Sequence, residues 1–132
     1  MAQVRTAVLC LAVCGMSLSL ATPAAQHAKK PPPEAAPVIA VLKAVKESDV
    51  AAFRNAYSRR IREDKEQGDW GKNLQEARVN LKKMYGDYRI ADFTFTFDGD
   101  TEGGKVSFAF KHGKPLDLDV INEDHAWKVD KR

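Results

Sequence analysis

The chain has 132 residues, of which 44% are hydrophobic and 30% charged, with a formal net charge of +3 and two cysteines. This near balance of charge forces no face to be strongly basic, so nucleic acid is excluded as an expected main partner. The length suits one domain of ordinary size rather than several.

The first 24 residues have the composition of a secretory signal peptide. Arg5 is the only charged residue in this segment, and it precedes the apolar, small-residue-rich run TAVLCLAVCGMSLSLA. The run is too short for a stable membrane span and ends in TPAAQ, so cleavage is expected after Ala24. A lipoprotein signal ending at Cys14 is disfavoured, because Val13 is bulky where a small residue is needed. We therefore predict a periplasmic or secreted protein with no membrane span in its mature form.

Cleavage after Ala24 would remove both cysteines, Cys10 and Cys14, and would leave about 108 residues with 20 basic and 18 acidic side chains. A secreted domain without disulfides must be stabilised by its hydrophobic core alone. Residues 25–36 contain three consecutive prolines and are predicted to be a Pro-rich spacer in polyproline II conformation. The folded domain is expected over residues 37–132.

Three amphipathic helices are predicted ahead of any strand. The first begins at Pro37, the second is capped by Ser48 or Asp49, and the third is capped by Asp69 and closed by Gly86. The apolar residues that recur at helical spacing in the three helices are Val38, Val41, Leu42 and Val45; Val50, Phe53, Tyr57 and Ile61; and Trp70, Leu74, Ala77, Leu81 and Met84 or Tyr85.

The second half of the chain alternates apolar and polar residues, which is the period of a β-strand. The stretches FTFTF, KVSFAFK, PLDLDVI and AWKVD predict four strands of an antiparallel meander, and the fold class is therefore α+β. The side chains expected on the inward face are Phe93, Phe95, Phe97, Val106, Phe108, Phe110, Leu116, Leu118, Val120, Trp127 and Val129.

Strand parity also predicts the hairpin registers, because a one-residue slip would send every apolar side chain to the wrong face. In the second hairpin the matching of apolar residues centres the turn on Gly113, which is expected to take a positive φ. In the last hairpin Val120 is expected opposite Trp127. Asp117 and Asp119 then belong to a charged outer face, with lysines as neighbours.

The last turn, NEDH, groups Glu123, Asp124 and His125 close to Trp127. Such a cluster is either catalytic or a polar turn. Tight turns need a residue with positive φ near their end, a conformation that histidine tolerates better than most residues. We interpret the stretch as a turn.

Three helices followed by a meander, with KNLQEARVNLKKMYGDYRI leading into the sheet and NEDHAWKVDK at the end, resemble the small secreted bacterial domains of the nuclear-transport-factor-2-like (cystatin-like) superfamily. Many of those domains end in a Glu-Asp-Gly turn followed by Trp-Lys-hydrophobic, and His125 replaces the glycine here. The matching residues are Glu123, Asp124, Trp127, Lys128 and Val129. The resemblance covers about Pro37–Arg132 and implies a curved, cone-like sheet, while members range from isomerases and dehydratases to ligand binders and assembly modules.

Enzymes of the ketosteroid-isomerase type in this superfamily use carboxylates and a tyrosine that project into the cone. The inward face predicted here has no titratable group, so no catalytic residue is assigned. The preferred function is a non-catalytic periplasmic or secreted binding or assembly module, with a small hydrophobic ligand, a protein partner or a homodimer left open. Its ligand would bind at the cone mouth, around Tyr57, Trp70, Tyr85 and Tyr88. The alternative is an isomerase- or dehydratase-like enzyme that uses Tyr57 and a helix-borne acid such as Asp64 on a small hydrophobic substrate.

No metal site and no cofactor are predicted, because His27, His112 and His125 have no second ligand at a metal-binding spacing. The basic run SRRIREDK, around Ile61, is interpreted as a solvated helix end, with a docking patch for an anionic partner as the alternative.

Overall fold

The structure is a computed structural model that describes residues 30–130. The predicted signal peptide, the lipoprotein alternative at Cys14 and the first part of the predicted spacer lie outside the described residues. Within them, helical structure begins with a 3-10 turn at Pro33–Ala35, inside the predicted spacer. Ala35 is fully buried, so this turn already belongs to the packed domain.

Four helical segments precede the sheet, and we label them α1 (Ala36–Glu47), α2 (Val50–Asn55), α3 (Arg59–Arg62) and α4 (Trp70–Tyr85). Short 3-10 turns lie at Lys65–Gln67 and Ile90–Asp92. The predicted caps are confirmed. The Asp49 and Asp69 carboxylates accept backbone N–H groups at the starts of α2 and α4, and Gly86 ends α4 with a φ of 68°.

The prediction of three helices is wrong, because only α1 and α4 are long. The expected second helix breaks between α2 and α3, where the chain bonds to the edge of the sheet. The Ser58 N–H donates to the Val129 carbonyl at 2.8 Å, and the Val129 N–H donates to the Ala56 carbonyl at 2.8 Å. These long-range bonds take backbone groups that a continuous helix would have used.

The sheet has four antiparallel strands in the order β1-β2-β3-β4. The strands are β1 (Phe93–Gly99), β2 (Gly103–Phe110), β3 (Leu116–Glu123) and β4 (Ala126–Val129). The predicted α+β class and the predicted meander are both confirmed.

The predicted faces are correct but two registers are shifted by two residues. Val106 pairs with Leu118 and Val120 pairs with Val129, whereas parity alone had set Val120 opposite Trp127. A shift of two keeps every side chain on its face, which is why the apolar pattern could not detect it. Asp119 then lies opposite Lys105, on the outer face.

The turn residues explain the shift. Asp124 and His125 have φ values of 52° and 67°, so the last hairpin closes through a two-residue turn with both central residues in the left-handed region. In the second hairpin the left-handed residue is Lys111, with a φ of 51°, rather than Gly113.

The inward face of the sheet forms the core together with α1. Phe93, Phe95, Phe108 and the valines of β2–β4 are buried there, and Leu116 at the end of the sheet is exposed. A second cluster joins Phe53 of α2 and Leu74 of α4 to the C-terminal half of α1. Each buried phenylalanine contributes about 1.5 to 3 kcal/mol of transfer free energy. Among residues 30–130, no helix combines the length and the apolar character needed to cross a membrane.

Two glycines allow the first hairpin to close tightly. Gly99 and Gly104 are paired, and the Phe97 ring lies against both of them. A Cβ added to either glycine would come within 2.4 Å of a backbone oxygen and 2.8 Å of the Phe97 ring. The glycines therefore let an aromatic ring cover this end of β1 and β2.

Candidate functional site

The acids of the last hairpin are paired with the arginines of α3. A guanidinium nitrogen of Arg62 lies 3.6 Å from the Glu123 carboxylate, and one of Arg59 lies 3.6 Å from that of Asp124. The Arg59 backbone N–H also donates to Glu123 at 2.9 Å. Arg60 completes the set with Asp130 at 3.2 Å. The basic run SRRIREDK therefore docks on the chain's own C-terminal hairpin.

Ser58 lies at the centre of this contact and is the only polar or charged residue among residues 30–130 that is buried. Its hydroxyl donates to the Asp130 carboxylate at 2.6 Å and caps the N-terminus of α3 through the Ile61 N–H. Nearby, the Lys128 ammonium donates to the Asn55 carbonyl at the end of α2 at 2.6 Å. The hairpin and the α2–α3 segment are thus joined by main-chain bonds, ion pairs and one buried hydroxyl.

The interpretation of NEDH as a turn is confirmed. His125 is exposed and has the positive φ that the turn requires. Glu123 accepts the Arg59 backbone N–H and forms an ion pair with Arg62, and Asp124 forms an ion pair with Arg59.

The structure places the four predicted ligand-binding residues in two pairs. Tyr57 and Trp70 have ring centroids 5.3 Å apart beside Phe53. Tyr85 and Tyr88 are 6.4 Å apart, and both contact Phe93. Trp70 and Tyr85 are the first and last residues of α4, about 22 Å apart along an axis that rises 1.5 Å per residue. The structure therefore brings each pair together but does not bring the two pairs together.

Tyr88 is buried and Tyr57 is partly buried. Burial raises the pKa of Tyr57 and of Tyr88, and the Arg78 charge opposes the shift at Tyr88. The Tyr88 hydroxyl donates to the Leu42 carbonyl at 2.6 Å. No Asp, Glu or His residue within residues 30–130 is buried as a whole, but one carboxylate oxygen of Asp64 is. Asp64, the acid of the enzyme alternative, accepts the Glu66 N–H at 2.9 Å and caps the 3-10 turn.

A cleft of about 450 Å³ lies where the C-terminal ends of α1 and α4 meet the segment that enters the sheet. Three cations and one acid line it, together with the Tyr88 ring and an apolar wall. Its lining residues are Val45, Lys46, Arg78, Lys82, Gly86, Asp87 and Tyr88. The cleft thus carries a local excess of two positive charges, in a chain whose formal net charge is only +3.

Two of the cleft's cations are held in place by hydrogen bonds. The Lys46 ammonium donates to the Tyr88 carbonyl and lies 5.5 Å from the centre of the Tyr88 ring. Arg78 donates to the Ser48 hydroxyl, at the left-handed residue that ends α1. Asp87 lies 3.9 Å from Lys46, but its side chain is 99% exposed, so water weakens its hold on that charge. Cations fixed in this way bind an anion at a lower entropic cost than free ones.

Tyr88 is the one cleft residue that was predicted from the sequence as ligand-binding, and the three cations were not predicted. Arg78 and Lys82 are four residues apart on one face of α4, an arrangement of like charges that mildly destabilises a helix. This unfavourable pair of like charges was the feature of the sequence that could have indicated an anion-binding site. Lys46 could not be connected with it, because the two helices meet only in the folded chain.

Within the described part of the chain, no three His, Cys, Asp or Glu side chains are grouped to hold a metal ion. Comparison of the chain with models of protein families, with curated proteins and with solved structures gives no match.

Proposed function

We propose that the protein is a non-catalytic periplasmic or secreted binding module, and that it holds a small organic anion in the cleft of Lys46, Arg78 and Lys82. Residues 1–24 would direct its export. The proposal keeps the relationship to the nuclear-transport-factor-2-like superfamily, with the sheet curved around α1 as in a cone. It moves the ligand from the predicted aromatic mouth to the basic cleft.

The observation that carries the proposal is the convergence of three cations on one concave surface. Lys46 and Lys82 lie in the last turns of their helices, where a cation is stabilised by the helix dipole. Arg78 lies outside the last turn of α4 and bonds instead to the end of α1. The dipole of α4 therefore does not explain why a cation lies at position 78. An anionic ligand would explain it.

The cleft also has the mixed lining typical of sites for small organic ligands. Charged groups line it together with the aromatic ring of Tyr88 and the aliphatic surface of Val45. A carboxylate or phosphate group attached to a compact apolar body would satisfy both. Binding without chemistry is favoured because a proton-transfer mechanism needs a free acid or base at the reacting atoms, and the Tyr88 hydroxyl is bonded to the Leu42 carbonyl at 2.6 Å.

Native mass spectrometry of the protein recovered after export from its own cells tests this function. We expect an additional mass that corresponds to a small anion, present in the wild type and lost in the double variant Arg78→Met/Lys82→Met. Lys83→Met is the matched control, because Lys83 is an exposed cation of the same helical turn that does not line the cleft. A ligand retained equally by both variants, or turnover of a substrate by the protein, would contradict the proposal.

A further inference from the structure

Alternate residues of β1 bond to β2, and this alternation, which we call the hydrogen-bond phase, shows which backbone groups of β1 face away from the sheet. The Lys111 N–H donates to the Asp92 carbonyl at 2.8 Å, and the Asp100 N–H donates to the Gly103 carbonyl at 3.0 Å. Antiparallel pairs alternate between bonded and non-bonded, so Thr94, Thr96 and Asp98 bond to β2. The N–H and C=O groups of the remaining residues, Phe93, Phe95, Phe97 and Gly99, therefore point to the open edge.

No strand or bridge within residues 30–130 pairs with this edge. Natural sheets protect such edges with prolines, lysines, bulges or inward-pointing charges. The stretch from Phe93 to Phe97 has none of these, and its register with β2 is continuous. An edge of this kind is a template for another strand.

We propose that β1 pairs with β1 of a second copy, antiparallel across a two-fold axis at Phe95, to form one continuous eight-stranded sheet. The phase requires that outward-facing residues pair with one another, and an axis at Phe95 centres the interface on the three phenylalanines. With the axis at Phe95, Phe95 pairs with its own copy and Phe93 pairs with the partner's Phe97 on both sides. These three bonded pairs give about six main-chain hydrogen bonds, since each bonded pair exchanges two. Moving the axis to Thr94 leaves only two such pairs. Moving it to Thr96 gives two pairs between phenylalanines and two between Gly99 and the partner's Phe93, and glycine weakens a strand.

The side chains of the outer face fit the same register. Thr94 comes opposite the partner's Thr96 in a non-bonded pair, where side chains are closest and threonines interact favourably. The centre of the interface is uncharged. At each end Asp98 approaches the partner's Asp92, and each of these acids has cations beside it in its own copy. Lys105 lies opposite Asp98 on β2, and Arg89, 3.2 Å from Asp92, together with Lys111 lowers the pKa of Asp92. The two facing acids at each end are therefore offset by cations of the two copies.

Charge substitution at the threonines tests the inference on the full chain. In Thr94→Lys/Thr96→Lys two lysines face each other at both closest pairs. By analytical ultracentrifugation we expect the wild type to dimerise and the dissociation constant of this variant to rise by about tenfold or more. An equimolar mixture with Thr94→Glu/Thr96→Glu should restore dimers, because each lysine then faces a glutamate. This restoration also shows that the variants are folded.

Ser107→Lys/Ala109→Lys is the matched control, since these residues lie beside Thr96 and Thr94 on β2, one strand away from the edge. It should dimerise like the wild type. A wild type that is monomeric at every concentration, lysine variants that dimerise normally, or a control that dissociates as readily as the edge variant would overturn the proposal. The last result would show a dimer formed through the sheet face instead.

The register is tested by disulfide trapping in a chain with Cys10→Ser and Cys14→Ser. A non-bonded antiparallel pair has Cα atoms about 4.5 Å apart, within the range of a disulfide. Mixed Thr94→Cys and Thr96→Cys chains should therefore cross-link efficiently, and each variant alone should cross-link poorly. Equal cross-linking in all three samples would exclude the proposed axis at Phe95.

Discussion

The two edge strands of the sheet, β1 and β4, differ in whether their outward backbone groups are hydrogen-bonded within the chain. At β4 the outward backbone groups of Val129 are bonded to Ala56 and Ser58, and ion pairs hold α3 against the hairpin. At β1 the outward groups of three consecutive outward-facing residues have no partner within residues 30–130. One edge is closed by a local piece of chain, and the other is left for a partner.

The comparison shows how polar clusters can resemble active sites. The acids and the histidine of the last hairpin have the residue types of acid–base catalysis. The two acids join the hairpin of β3 and β4 to α3, where an otherwise open edge needs specific bonds, and His125 is an exposed turn residue. The β1 edge has a plain sequence of threonine and phenylalanine, and it is the edge that can accept a strand.

Breaking the closed edge at Ser58 should have the largest effect. Ser58→Ala removes the cap of α3 and leaves the Asp130 carboxylate without the hydroxyl, so we expect the free energy of unfolding to fall by about 1 to 3 kcal/mol. Ser107→Ala is the control, because Ser107 also donates to an aspartate, at 2.5 Å, but in an exposed position. Urea unfolding should show a loss of under about 0.5 kcal/mol for the control. Equal losses would mean that the contact at Ser58 is not what closes the edge.

Neutralising Glu123 should lower the free energy of unfolding by less than Ser58→Ala does. It should still cost more than neutralising Asp124, because the two ion pairs of the hairpin differ in exposure. The Arg62 and Glu123 side chains are each 19% exposed, whereas Arg59 and Asp124 are 62% and 84% exposed. Glu123→Gln should lower the free energy of unfolding by about 1 kcal/mol, and Asp124→Asn by about 0 to 0.5 kcal/mol. A double-mutant cycle with Arg62→Met checks that the loss comes from this pair.

Replacing His125 with glycine should raise stability slightly. A residue with a side chain pays an energetic penalty in the left-handed region that glycine does not. His125→Gly should therefore raise the free energy of unfolding by about 0.5 to 1 kcal/mol. Thermal unfolding can measure this. A loss of stability would show that the imidazole makes a contact that the turn depends on.

The smallest effect concerns pH at the two ends of β1. Bonds from Arg89 lower the pKa of Asp92, and the Glu102 and Gly103 backbone N–H groups lower the pKa of Asp100. A carboxyl with a lower pKa in the folded state stabilises the fold above its unfolded pKa, about 3.9, and that stabilisation is lost as the pH falls further. The protection factors of amides near both ends of β1, which compare the measured exchange rate with the intrinsic rate at the same pH, should fall below about pH 4. Those of β4 should change less. Asp100→Asn should reduce the pH dependence at its own end of β1.

The sequence predicted what depends on local pattern. Alternation of apolar residues predicted the meander and its faces, and the caps at Asp49 and Asp69 predicted two helix starts. The break before Ser58 was missed because its cause, Val129, lies far along the chain. The registers were missed because they depend on which turn residues adopt a positive φ, and Lys111 gave no signal for it.

The candidate site shows the same limit. Tyr57 with Trp70, and Tyr85 with Tyr88, are aromatic contacts that helical spacing suggested, but the length of α4 separates the two pairs. The cleft depends on Lys46 meeting Arg78 across two packed helices. Only tertiary structure could bring these charges together.

Hydrogen exchange measured at two protein concentrations tests the contrast between the edges most directly. At low concentration the Phe95 amide should exchange quickly and the Val129 amide slowly, because only the second is bonded within the chain. Raising the concentration should slow exchange at Phe95 and leave Val129 unchanged. A Phe95 amide that is equally protected at both concentrations, or a Val129 amide that exchanges as fast as Phe95, would contradict the account.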